Sequence, residues 1–75
     1  MYVFQIKELR KSKNISRYML AKKANINRSY LIELENGAKT NPTFQVLYKI
    51  ANALNVNVKE LFYTIDDIEF LKQQL

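Results

Sequence analysis

Three times in 75 residues a polar capping residue sits between one apolar residue just before it and another four places beyond. Ile15 and Leu20 bracket Ser16, Ile26 and Leu31 bracket Asn27, and Val56 and Leu61 bracket Asn57. Each is a hydrophobic staple, in which the cap side chain accepts free N–H groups of the first helical turn while the apolar pair fixes how the chain enters the helix. The pattern predicts an all-α chain of short helices: a compact five-helix domain over residues 1–64 and a short sixth helix in residues 65–75. A chain of this length closes one modest core, with little room for a large enzymatic cleft.

The first helix is expected over residues 3–12, with Ile6 and Leu9 toward the core and Val3 or Tyr2 closing its start. Lys11 to Asn14 end it, basic side chains being favourable at a helix C-terminus and Asn14 able to turn the chain. Gly37 stops a third helix, residues 38–42 form a loop, and Thr43 after Pro42 caps a fourth. In that fourth helix Phe44, Leu47, Ile50, Ala51 and Leu54 recur at helical spacing, and Tyr48 completes the core or lies at its edge. Asn57 with Glu60 makes a capping-box pattern for a short fifth helix through Leu61 and Phe62.

Residues 16–37 carry the most information. Leu20, Ala21, Ala24, Ile26, Leu31 and Leu34 are spaced as the inner face of two helices joined by a tight turn, a helix-turn-helix. Ala21 is small where the second helix passes close, and Asn25 tolerates the left-handed conformation at the turn. On the wheel of the second helix Leu31 and Leu34 point inward, and Tyr30 and Glu35 lie on the flanks. Ser29, Ile32, Glu33 and Asn36 point out, with Arg28 at the exposed start. Such a face suits a DNA major groove: Arg pairs bidentately with guanine, Ser bonds either kind of edge, and Ile touches a thymine methyl.

Charge follows the same division. Residues 1–37 carry eight basic and three acidic side chains, whereas residues 38–75 carry four of each, so the net charge of +5 sits on the helix-turn-helix half. A polyanion-binding face needs that asymmetry. With no Cys and no His, disulfides, thiolate nucleophiles and the usual metal ligands are excluded, and no cofactor is expected. No apolar run is long enough for a membrane span and no signal-peptide pattern opens the chain, so a cytoplasmic setting is expected.

The chain resembles the lambda-repressor-like, XRE-type helix-turn-helix regulators. The resemblance covers roughly residues 4–63 and rests on Ile6-Lys7-Glu8-Leu9-Arg10, Leu20-Ala21, Arg28-Ser29-Tyr30-Leu31, Glu35-Asn36-Gly37, Asn41-Pro42-Thr43, and Ile50-Ala51 running into Ala53-Leu54-Asn55-Val56. It implies a double-stranded DNA partner, no catalytic role, and prokaryotic or phage origin. It also implies a structural ion pair between Arg10, which falls on the apolar face of its helix, and Glu35. Base contacts are expected from Arg28, Ser29, Ile32 and Glu33, although family members usually carry a polar residue where Ile32 stands. Phosphate contacts are expected from Arg17, at a position where the family often has Gln, and from Asn36, Lys39, Thr43 and Phe44. Lys22 and Lys23 read as solvated.

Ile65, Ile68, Phe70, Leu71 and Leu75 put much apolar surface on the last eleven residues, beyond the family pattern. That segment either folds back on its own core or meets a second copy, and a homodimer is the favoured expectation. A rival reading keeps the fold but uses Ile32 and the tail to hold a protein partner, as in antitoxins and anti-repressors. An enzyme is disfavoured, because Asp66, Asp67 and Glu69 lack His, Cys or a Gly-rich loop and suit the start of a helix.

Overall fold

The computed structural model describes residues 2–74, the side chains of Ile65, Asp67 and Phe70 excepted. Its elements run β1 (Tyr2–Phe4), α1 (Ile6–Ser12), α2 (Arg17–Ala24), α3 (Arg28–Asn36), α4 (Phe44–Leu54), a 3₁₀ turn (Val58–Leu61), β2 (Phe62–Thr64) and α5 (Ile65–Gln74).

The short links between helices share one device. Asn14, Asn25 and Asn55 all adopt positive φ, at 57°, 56° and 60°. After each, the next residue's N–H reaches back five positions: Ile15 to the Arg10 carbonyl at 3.1 Å, Ile26 to Ala21 at 3.0 Å and Val56 to Ala51 at 2.9 Å. These are Schellman closures, with Asn where Gly is commoner. The same Ile15, Ile26 and Val56 pack against the core. Each therefore ends one helix and staples the next, so three or four residues suffice for a link. Ser16 then accepts from the Met19 N–H at 3.1 Å, and Asn27 accepts from the Ser29 and Tyr30 N–H groups at 2.8 and 3.3 Å. At the third link the Asn57 N–H donates to the Glu60 carboxylate at 2.6 Å.

Ile6, Leu20, Leu31, Ile50, Leu54 and Leu61 are fully buried, with Ala21, Ala24, Leu34 and Ala51 filling between them. A side chain of that size contributes about 1.5–3 kcal/mol when taken fully out of water. The core is thus shared by α1, α2, α3, α4 and the 3₁₀ turn, and α2 packs on both α3 and α4. Tyr48 is 53% exposed and does not complete this core.

The all-α expectation needs correcting at both ends of the domain. Residues 2–4 do not open the first helix; they form β1 and pair antiparallel with β2 in the register Tyr2–Thr64, Val3–Tyr63 and Phe4–Phe62. The fifth helix is a single 3₁₀ turn ending at Leu61, and Phe62 belongs to the sheet. Aromatic and β-branched side chains favour such pairing. Phe62 meets Tyr2 edge-on at 5.4 Å and Phe4 at 6.1 Å between ring centroids. The Gln5 N–H donates to the Leu61 carbonyl and its side-chain amide to the Glu60 carbonyl, both at 2.8 Å, which ties the end of β1 to the 3₁₀ turn.

Helix α5 follows β2 directly and makes its main contacts with that strand. On it Ile68 is half-buried and Leu71 is 62% exposed. The side chains of Ile65 and Phe70, and Leu75, lie outside the described residues. Among the described residues no helix is long and apolar enough to cross a membrane.

Candidate nucleic-acid interface

Helix α3 begins at Arg28 under the Asn27 cap and ends at Asn36, where Gly37 takes φ 87°, a conformation that strains any residue with a Cβ. Leu31 and Leu34 anchor it at 0% and 2% exposure. Arg28, Ser29 and Asn36 are exposed, and Ile32 and Glu33 are half-buried. The outward side of α3 therefore offers two hydroxyl- or guanidinium-bearing side chains at its start, an apolar contact midway, and an amide at its end.

Several neighbouring groups are already engaged. Lys39 Nζ lies 3.7 Å from the Glu33 carboxylate, and the Lys39 N–H donates to the Glu33 carbonyl at 3.0 Å, folding the loop onto the end of α3. The Asn36 Oδ1 accepts from the Ala38 N–H at 2.9 Å, which leaves its amide N–H groups as donors. Thr43 caps α4 by accepting from the Val46 N–H at 3.2 Å. Phe44 is 70% exposed and its ring stacks on Tyr48 at 6.3 Å. Lys22, expected to be solvated, holds its ammonium 5.9 Å from the Tyr18 ring centre, within cation–π reach.

Beneath this surface lies an ionic triad. Arg10 Nε donates to Glu35 Oε2 at 2.8 Å and its Nη2 to Oε1 at 3.1 Å, while Nη1 donates to the Ile15 carbonyl at 2.9 Å. Arg17 Nε also donates to Glu35 Oε1, at 2.8 Å. The Glu35 side chain is 1% exposed, Arg10 8% and Arg17 40%. Burial alone would raise the Glu35 carboxyl, but hydrogen bonds from Arg10 and Arg17 and their charges outweigh it and hold the group below its ordinary value. A carboxylate this enclosed is tolerable only because every lone-pair direction in use meets a cation.

The bond from Arg17 to Glu35 has no signal in the sequence pattern. Both residues were placed, but the contact spans 18 residues and depends on how α2 and α3 cross.

Two short helices locked at a capped turn, the second presenting an open polar face, define a helix-turn-helix module. A family model described as helix-turn-helix matches residues 6–61. The chain belongs to this XRE-type helix-turn-helix family. It is similar to the HTH-type transcriptional regulator SinR of Bacillus licheniformis, 39% identical over 66 residues that cover 88% of this chain and 60% of the relative. The chain thus spans about 60% of the length of that curated relative. Among solved structures it resembles the biofilm master regulator SinR in complex with DNA, with TM-score 0.71 and 42% identity over 73% of this chain and 87% of that one. It also resembles the SinR–SinI protein complex, with TM-score 0.74 and 32% identity over 93% of this chain and 74% of that one.

Proposed function

We propose that this chain is a sequence-specific DNA-binding transcriptional regulator that lays α3 in the major groove. The observation that carries the reading is the exposed Arg28–Ser29 start of α3, standing on a helix whose other side is clamped into the core by Leu31 and Leu34. Arg28, Ser29, Ile32 and Glu33 are the base-reading side chains, and Arg17, Asn36, Lys39, Thr43 and Phe44 meet the flanking phosphates. At Phe44 the contact is the backbone N–H at the start of α4, where the helix dipole favours an anion. Similarity to a SinR structure solved with DNA supports this assignment.

One such module touches only a few base pairs. We therefore assign a homodimer to the working species, with residues 65–75 as the dimerisation element and half-sites about 34 Å apart. Occupancy alone excludes other proteins from the same base pairs, so repression needs nothing beyond binding. Such a regulator acts at the nucleoid, in the cytoplasm. A second reading, in which the chain also holds a protein partner, draws support from the similarity to a SinR–SinI complex.

Selection of binding sites from a random duplex library tests the proposal. A pseudo-palindrome is the expected product, with binding that weakens steeply as salt rises. Arg28→Ala should cost about 1–3 kcal/mol on the selected site and relax choice at one position. Recovery of no preferred sequence, or an Arg28→Ala protein with unchanged discrimination, would overturn it.

A further inference from the structure

Glu35 is buried, yet its geometry reaches the surface through Arg17. The carboxylate is already neutralised by Arg10, which donates to both of its oxygens. Arg17 adds a second cation, so the three groups together carry one surplus positive charge. That charge falls on the exposed member, since Arg17 is 40% exposed and Arg10 8%. Only Nε of Arg17 is used, at 2.8 Å, and no other hydrogen bond engages this side chain among the described residues. Its two terminal nitrogens therefore remain as four N–H donors at the first position of α2, where the free backbone N–H groups also favour an anion.

We infer that Glu35 is a positioning residue for phosphate binding: it holds the Arg17 guanidinium by Nε so that the terminal nitrogens are pre-aimed at a DNA phosphate. The inference rests on the DNA-binding reading above and adds to it a residue that never touches DNA. A long side chain loses conformational freedom when it captures a phosphate, and one fixed in advance by a buried carboxylate has already lost it. Lysine is a poor substitute for arginine here, because its compact ammonium on a flexible stem lacks the rigid fork that lets Nε hold the carboxylate while the terminal nitrogens face outward.

The sign of the effect separates this role from simple electrostatics. Glu35→Gln removes a negative charge, so the long-range field predicts tighter DNA binding. Release of Arg17 from a sequestering carboxylate predicts the same. Loss of the brace predicts weaker binding. The assay is fluorescence anisotropy with a labelled 20-base-pair duplex of arbitrary sequence, titrated at several salt concentrations, on proteins shown to be folded by thermal melting. Glu35→Gln should bind about three- to tenfold more weakly, the worth of one immobilised side chain. In an Arg17→Ala background the same change should not weaken binding, only the gain from the removed charge being left, whereas a merely structural role would weaken both backgrounds alike. Arg17→Lys, which leaves the buried pair intact and so guards against unfolding, should bind more weakly than the wild type although it keeps the charge. Tighter or unchanged binding by Glu35→Gln, equal losses in both backgrounds, or an Arg17→Lys protein that binds like the wild type would each overturn the inference. A wild-type protein that binds no duplex at any salt would instead overturn the DNA-binding reading itself.

Discussion

Replacing Arg10 by Met tests the keystone of the fold most directly. The Arg10 side chain is 8% exposed, and its guanidinium makes three hydrogen bonds, two to Glu35 and one to the Ile15 carbonyl. Met fills much of the aliphatic volume, so the loss is chiefly electrostatic. Taking one partner from a buried pair costs about 3–5 kcal/mol, since the surviving charge has neither water nor a counterion. Here Arg17 stays on Oε1 and softens that penalty, while Oε2 and the Ile15 carbonyl are stranded. The expected loss is about 3 kcal/mol, and in a domain of this size each kcal/mol lowers the melting temperature by roughly 4–8 °C. Urea titration followed by far-UV circular dichroism at pH 7 measures it. Arg10→Met combined with Glu35→Leu removes the stranded carboxylate as well and should recover more than half of the loss. An Arg10→Met protein destabilised by less than about 1 kcal/mol, or a double variant no more stable than the single one, would refute the claim that the buried carboxylate depends on Arg10.

The same carboxylate makes stability depend on pH. Its folded value lies below its unfolded one, so its contribution is fully present above the ordinary carboxyl value and is lost as pH falls through the folded value; melting temperatures of wild type and Glu35→Gln should therefore converge in acid. At the α4 link, Asn55→Ala should cost about 1–2 kcal/mol because Ala is poor at positive φ, whereas Asn55→Gly should be nearly neutral, as urea midpoints will show. Phe62→Ala removes two edge-on ring contacts and should cost about 2 kcal/mol, with loss of amide protection at Val3 and Tyr63 in hydrogen exchange.

The helical framework was legible because its signals are local. A cap, its staple and the turn preceding it lie within about six residues, and Asn14-Ile15-Ser16, Asn25-Ile26-Asn27 and Asn55-Val56-Asn57 spell the same link three times. The two-stranded sheet was not legible, because its strands have three residues each and meet from opposite ends of the domain. Val3, Ile6 and Leu9 are spaced as one helical face, and nothing nearby reveals that Phe4 will find Phe62. On α3 the wheel placed Glu35 on the flank, but which cations reach it is decided by packing between helices. Arg10 follows from the family pattern, whereas the Arg17 contact appears only once the helices are packed.

The junction at Thr64 and Ile65 has a consequence for how two copies would share an operator. No residue separates strand from helix there, and the strand is laced to the first residues of the chain. A pair joined through α5 would have no hinge with which to adjust its reach. Adding or deleting a single base pair at the operator's centre turns one half-site by about 35° relative to the other, and a coupling this stiff leaves the protein little means of following it.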